Sequence, residues 1–480
     1  MNVVDAPLEW VRVCRDAPYF ETERGDAWTP VGHNDALSWP TLAPLSRDPA
    51  AVECYVEMLR QRGVTCLRLM LEYVQTNGRF FERPAGEFNP RVVRMWDRLF
   101  ARAERHRIRL LLTPFDTFWM WKRWRHHPYN RANGGPADDC RILLTCASTR
   151  AAVKARFAFA IDRWGGSGAL FAWDLWNEIH PAYADDDPGA FHDFIADVAA
   201  FVRRRESERY GRAHPITVSA FGPMLSQGFW SRELGRTAPD DRTADATFRH
   251  PALDFATVHT YATGTIDDPA DTVAPALAMG ELTRAAIAQI ADGRPYFDSE
   301  HGPIHTFKDK RRVLPEPFDD EYFRHVQWAH LASGGAGGGM RWPNRRPHAL
   351  TDGMHRAQHA LSRFLPLIDW TQFQRRNVSA EIRTQDAGVA TLGCSDGRQA
   401  VLWLVRRDGL GVDGMLRRDL APRGVRVTLP RMAVGSYDVV VWNTERGCRE
   451  RLFVATTCEG GLCLELSVAR DLAVAIRPSA

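Results

Sequence analysis

From residue 30 onward the chain alternates two textures: short runs of apolar residues, and longer stretches in which apolar residues recur every three or four positions. The runs predict buried strands, and the stretches predict helices with one face turned inward. The first helix is placed by its punctuation. Asp48 can cap it, Pro49 fits its first turn, Ala51, Val52, Tyr55, Val56 and Leu59 share a face, and Gly63 ends it. VTCLRLM (64–70) follows as a strand. Asn89-Pro90 then opens a second helix, in which Val92, Trp96, Leu99 and Ala103 repeat at helical spacing, and RIRLLLTPF (107–115) is the next strand. The alternation continues through a helix near 150–164, ALFAWDLWN (169–177), a helix near 189–205, PITVSAF (215–221), FATVHTY (255–261), a helix near 273–291 and PYFDSE (295–300). A helix near 320–332, GMRW (339–342) and a helix near 354–364 complete it. With VGHN (31–34) as the first strand there are eight.

Eight successive β/α units predict an α/β fold, a (β/α)8 TIM barrel enlarged by insertions. An open doubly wound sheet fits less well, because no glycine-rich phosphate fingerprint follows the first strand. Ahead of the barrel, residues 7–30 read as a hairpin turning at Gly25-Asp26, which could close the barrel's bottom. After Leu365 the texture changes. GVATLGC, AVLWLVRR, RVTLP, YDVVVW, LFVAT, LCLELSV and LAVAIR are short strands between turn residues, and they predict a C-terminal all-β sandwich. The expected organisation is a catalytic barrel over 1–365 and an accessory sandwich over 366–480.

Composition narrows the partners. With 45% hydrophobic and 25% charged residues and a formal net charge of +3, the chain has neither the profile of a disordered protein nor a nucleic-acid footprint. No apolar run reaches the roughly 18 residues that cross a bilayer, so no membrane partner is expected. The first twenty residues lack a basic segment followed by an apolar one, which makes a cytoplasmic protein the expectation. The nine cysteines predict reduced, mostly buried thiols. Sixteen tryptophans, many beside polar residues, are the unusual feature, since indole faces suit the apolar faces of sugar rings.

In a barrel of this kind chemistry sits at the carboxyl ends of the strands. Strand two contains Arg68, strand three ends at Asp116, strand four in Trp176-Asn177-Glu178, strand six carries His259 and Tyr261, strand seven ends in Asp298-Ser299-Glu300 and strand eight in Arg341-Trp342. Glu178 and Glu300 thus end strands that face each other across the barrel. Cleavage of a glycosidic bond needs one carboxyl group protonated and one ionised. Arg68 and Tyr261, if directed at Glu300, would hold it ionised and depress its pKa, whereas apolar surroundings such as Trp176 would raise that of Glu178. His259 would orient its neighbours or bind the sugar, and Trp342 would floor the site. Phe118, Trp119, Trp121 and Trp124 crowd the segment after strand three, read as an aromatic loop with further sugar-stacking positions. His126-His127 and Asp185-Asp186-Asp187 lack the ligand number for a metal and read as solvated loop residues.

WDLWNEIH (173–180) and YFDSEHG (296–302) resemble the acid/base and nucleophile motifs of clan A glycosidases, especially the family 5 cellulases and mannanases. HPYNRANGGP (127–136) and RWGGSGALFAWDLWNE (163–178) are similar to a mannanase-like subgroup. The resemblance implies Glu178 as acid/base, Glu300 as nucleophile, Asn177 bonding the sugar 2-hydroxyl, and supporting roles for Arg68, His259, Tyr261 and Trp342. It also implies a retaining double displacement on a β-linked mannan or glucan type carbohydrate substrate, with no cofactor. Transglycosylation through the same residues and a non-catalytic carbohydrate-binding barrel are the alternative readings.

Overall fold

The computed structural model describes residues 7–72, 80–220, 247–263, 266–267, 269–304 and 312–479. Three short strands, β1 (Val11–Val13), β2 (Phe20–Thr22) and β3 (Ala27–Trp28), form an antiparallel meander, one strand more than the predicted hairpin. Gly25 makes its tight turn at a φ of 89°, a backbone region open to glycine.

The barrel strands are β4 (Gly32–Asn34), β5 (Cys66–Met70), β6 (Arg109–Thr113), β7 (Leu170–Asp174), β8 (Ile216–Thr217), β9 (His259–Thr263), β10 (Glu300–Ile304) and β11 (Met340–Arg341). They lie parallel in the order β8, β7, β6, β5, β4, β11, β10, β9. Among the described residues the seam between β8 and β9 has no regular ladder and is joined by single bonds, Asp254 N to Ile216 O at 2.8 Å and His259 N to Ala220 O at 2.9 Å. The last residue of the predicted strand 215–221, Phe221, lies outside the described residues. Every residue of β5, β6 and β7 is buried, as expected of strands with helices outside and a filled barrel inside.

Two strands start later than the apolar pattern places them. The β9 and β10 ladder begins at His259 and Glu300, and the segments before it meet in an isolated bridge between Ala256 and Tyr296 and a bond from Ser299 N to Thr257 Oγ1 at 3.0 Å. The runs at 255 and 295 mark burial, which apolar residues report, and burial precedes regular pairing here.

The helices are α1 (Pro49–Gln61), α2 (Pro90–His106), α3 (Thr117–Lys122), α4 (Ala147–Trp164), α5 (Pro188–Tyr210), α6 (Ala274–Ala288), α7 (Glu316–Ala332) and α8 (Asp352–Phe364). Asp48, Asn89 and Asp187 cap α1, α2 and α5 by accepting backbone N–H bonds, satisfying donors that a helix start leaves unpaired. The aromatic segment after strand three is a helix, α3, rather than a loop, because Asp116 accepts from Trp119 N at 3.1 Å and caps it.

The barrel's lower end is filled by the meander. Phe20 is fully buried and meets Phe171, Phe255 and Phe297 edge-on at centroid distances of 5.0, 5.4 and 6.1 Å.

The C-terminal strands are β12 (Arg376–Asn377), β13 (Arg383–Thr384), β14 (Val389–Ser395), β15 (Ala400–Arg406), β16 (Arg423–Leu429), β17 (Ser436–Asn443), β18 (Cys448–Thr456), β19 (Leu462–Val468) and β20 (Asp471–Pro478). They form a six-stranded sheet, β12-β14-β15-β20-β17-β18, and a three-stranded one, β13-β16-β19. In β19 buried and exposed residues alternate, while β15 is buried throughout. The reason is that Leu402 and Leu404 face the small sheet, whereas Val401, Trp403 and Val405 join a core shared with Trp328 of α7 and Phe364 of α8. Trp442 Nε1 donates to Ala360 O at 3.3 Å and Arg324 pairs with Asp471 at 3.1 Å across the same boundary. The thiols are free, but fewer are buried than expected: Cys14, Cys66 and Cys394 are, while Cys54, Cys458 and Cys463 are exposed.

Phe20→Ala should cost about 3–5 kcal/mol of stability, because it empties a site closed on all sides by rings. Denaturant unfolding of the variant measures this, and a loss below about 1 kcal/mol would show that the meander does not hold the barrel's lower end.

Candidate active site

Arg68, on β5, stands in the barrel interior with no solvent exposure. Its guanidinium donates to Asp174 Oδ2 at 2.8 Å, Glu300 Oε2 at 2.9 Å, Asn34 Oδ1 at 2.9 Å, Asn177 Oδ1 at 2.6 Å and Ser219 Oγ at 3.2 Å. One buried cation therefore joins groups at the ends of β4, β7, β8 and β10. A buried guanidinium is tolerated only when its donors are used and its charge is met, and both conditions hold here.

Glu300 receives two hydrogen bonds, one from Arg68 and one from the Tyr261 hydroxyl, on its two different oxygens. Among the described residues, Glu178 has no cation bonded to it. Its Oε1 lies 2.8 Å from His259 Nδ1, and its Oε2 is buried without a hydrogen-bond partner among the described residues. His259 Nε2 meets Ser299 Oγ at 3.1 Å, so the imidazole bridges the two glutamate strands. One atom from each of Glu178, His259 and Glu300 lies within 4.8 Å of the others.

These partners divide the two carboxyl groups. Burial, then the charge of Glu300, pushes Glu178 well above the ordinary carboxylate range. Burial also raises Glu300, against the lowering pull of Arg68 and Tyr261. The sequence-based expectation of a depressed Glu300 is thus corrected, because desolvation outweighs two favourable bonds. The difference between the two groups survives: the shared proton belongs on Glu178. Burial and the Arg68 charge hold His259 well below its usual value, leaving it neutral at neutral pH.

The backbone at Glu178 is left-handed, with φ of 50°. Such a conformation costs a bulky residue on the order of 1–3 kcal/mol and persists where neighbours fix it. Here Glu178 N donates to Ser219 Oγ at 3.2 Å and Glu178 O accepts from Thr117 Oγ1 at 2.7 Å. Asn177 is engaged from both sides, accepting from Arg68 and donating from Nδ2 to Asp116 Oδ1 at 2.6 Å. Burial pushes Asp116 up to about 7 despite the Asn177 bond.

Trp342 follows β11 and lines a cavity of about 310 Å³ with Ser38, Trp39, Pro40, Trp119, Pro347 and His348. Its ring meets Trp39 edge-on at 4.9 Å. Of the aromatic positions after strand three, Trp119 enters this cavity, whereas Trp121 is 55% exposed and outside its lining. Trp176 does not enclose Glu178. It stacks on Phe115 at 5.2 Å and meets Phe194 of α5 in the layer between strands and helices. Arg341 likewise turns outward, to Asp319 of α7 at 2.7 Å. His127, expected in solvent, is buried and 3.0 Å from Glu72, which also accepts from Arg156 at 2.7 Å.

Asn34, Asp174, Ser219, Trp39 and His348 join the site without having been singled out by their place in the sequence. Asp174, an acid inside the apolar run ALFAWDLW, and Asn34, closing VGHN, carried a readable signal; the loop residues Trp39 and His348 carried none. Glu178, His259 and Glu300 could offer three ligand atoms to a cation, but Arg68 already places a fixed positive charge on one of those carboxylates.

No family model matches the chain. A rice (Oryza sativa subsp. japonica) protein named "Putative mannan endo-1,4-beta-mannosidase 5" is 26% identical over 380 residues, 71% of this chain and 71% of that protein. The "Probable mannan endo-1,4-beta-mannosidase F" of Aspergillus flavus is 25% identical over 209 residues, covering 43% of this chain and 41% of its own length. Among solved structures, a glycoside hydrolase family 5 protein from Bacteroides vulgatus aligns with 100% of this chain and 95% of its own at a TM-score of 0.63 and 10% identity, a likeness of fold. The shared fold and the distant sequence relatives agree with what two opposed glutamates require, and the chain is similar to the family 5 glycoside hydrolases in fold.

Proposed function

We propose that the protein hydrolyses β-mannosidic linkages by double displacement, with retention at the anomeric carbon. The observation that carries this reading is the close pair of unlike carboxyl groups, oxygens of Glu178 and Glu300 lying within 4.8 Å of each other. Retaining glycosidases hold their carboxyl groups ~5–5.5 Å apart, whereas inverting ones need ~6.5–9.5 Å to admit a water. Glu300, held by Arg68 and Tyr261, attacks the anomeric carbon. Glu178, kept protonated by burial and by the charge of Glu300, gives its proton to the leaving oxygen and then takes one from the attacking water. In this reading Asn177 bonds the sugar 2-hydroxyl through its amide, as the resemblance implies, and Trp342, Trp39 and Trp119 offer stacking faces. The mannosidase names of the rice and fungal relatives support mannan as the substrate class.

The two glutamates should respond differently to the leaving group. Glu300→Ala removes the attacking atom, so turnover should collapse on a nitrophenyl β-mannoside and on manno-oligosaccharide alike. Glu178→Ala removes proton donation, worth ~10²–10⁴-fold, which a nitrophenolate does not need. That variant should give a burst of nitrophenol and then a slow phase, accelerated by azide with a β-mannosyl azide as product. Equal losses on both substrates, or azide rescue of Glu300→Ala with the same β product, would overturn the roles.

The pH profile supplies a second test. Activity needs Glu300 ionised and is lost as pH falls through its pKa; it needs Glu178 protonated and is lost as pH rises through that pKa. Tyr261→Phe removes a bond that lowers the Glu300 pKa, so the acid limb of kcat/KM should move to higher pH. An acid limb that stays put or moves down would sink the assignment of Tyr261.

A further inference from the structure

Far along the sequence from the barrel site, the turn between β18 and β19 brings two exposed thiols together. Cys458 and Gly461 pair across Glu459-Gly460, with Cys458 N donating to Gly461 O at 3.0 Å and Gly461 N to Cys458 O at 3.1 Å. Gly460 and Gly461 take φ of 102° and 124°, conformations that favour glycine and fix the tight turn. Two residues beyond Gly461 an antiparallel pair returns to the same face, and Cys463 stands there with its Sγ 3.4 Å from that of Cys458.

We propose that Cys458 and Cys463 form a reversible dithiol site that reacts with small disulfides such as oxidised glutathione and closes to an internal disulfide. The sulfurs must move from 3.4 Å to about 2.05 Å, a shift that side-chain rotation at a surface turn supplies. The two thiols are unequal. Cys463 is lowered from the ordinary thiol value by bonds from Thr428 and Cys458 and by the charges of Arg426 and Arg383, while Cys458 is raised by its bond with Cys463. Arg383 reaches over the turn, donating to Gly460 O at 3.3 Å. Cys463 is accordingly the attacking thiolate.

The step balances as follows. Cys463 thiolate attacks one sulfur of the oxidised glutathione, the glutathione S–S bond breaks, and one glutathione leaves as thiolate and takes up the proton that Cys463 released. Cys458 then loses its proton and attacks Cys463 Sγ, expelling the second glutathione. The protein pair is oxidised by two electrons and the glutathione disulfide is reduced to two thiols.

The full chain is incubated with oxidised glutathione, its remaining thiols are blocked with N-ethylmaleimide, and it is digested with trypsin. The peptide from Leu452 to Arg470 contains Cys458 and Cys463 and no other cysteine. It should return unlabelled and lighter by two hydrogens, and dithiothreitol should restore both labels. Cys458→Ser should trap one glutathione on Cys463, whereas Cys463→Ser should leave Cys458 largely open to maleimide. The exposed thiol of Cys54 reports in the same digest that glutathione was reactive. The proposal fails if Cys54 takes glutathione while the wild-type peptide keeps two maleimides, if a glutathione adduct persists without closure, or if Cys463→Ser traps as much as Cys458→Ser.

Discussion

A positive charge buried where water cannot reach organises the upper half of the barrel. Moving a guanidinium out of water costs several kcal/mol even after relaxation, so Arg68 is stable only because two carboxylates and three neutral oxygens meet its donors. Those acceptors come from β4, which is laddered to β5 at Asn34, and from the ends of β7, β8 and β10, which are not, so the cation sets the spacing of strand ends that are not its own neighbours. It also makes the two glutamates unlike. Glu300 touches the charge, Glu178 does not, and the proton follows that asymmetry. Burial alone does not distinguish them, since both side chains are buried.

The lower half is held by different physics. Phe20 and the rings around it form an apolar plug, and the shared core beneath α7 and α8 continues into the sandwich through Trp403 and Trp442. Stability resides below, where hydrophobic area is buried; polarity and strain are concentrated above. The sandwich is joined to the barrel through β15, whose Val401, Trp403 and Val405 enter the shared core while Leu402 and Leu404 enter the core between the two sheets.

Strain at the site has a local support. Glu178 takes a left-handed backbone beside Asn177, whose amide is fixed by Arg68 on one side and Asp116 on the other. Asp116 uses its second oxygen to cap α3, the helix that carries Trp119 to the aromatic cavity. One side chain thus ties the residue preceding Glu178 to the start of the helix whose Trp119, three residues on, lines the aromatic cavity.

What the sequence determined by itself was periodicity and punctuation. Alternating apolar runs and helical stripes, with Asp48-Pro49 and Asn89-Pro90 at helix starts, are local signals, and a (β/α)8 order follows from them because helices and strands differ in the period of their buried positions. The glutamate motifs were legible for the same reason, as polar residues closing apolar runs. Only tertiary structure decided which way side chains point: Trp176 and Arg341 turn to the helix layer, His127 is buried, Trp121 faces solvent while Trp119 joins Trp39 and His348. It also decided that burial outweighs two hydrogen bonds at Glu300, and that Cys458 meets Cys463. Direction, desolvation and charge proximity depend on which residues the fold brings together, from neighbours across one turn to Arg68 and Glu300, 232 positions apart, and no local pattern of hydrophobicity encodes the distance between them.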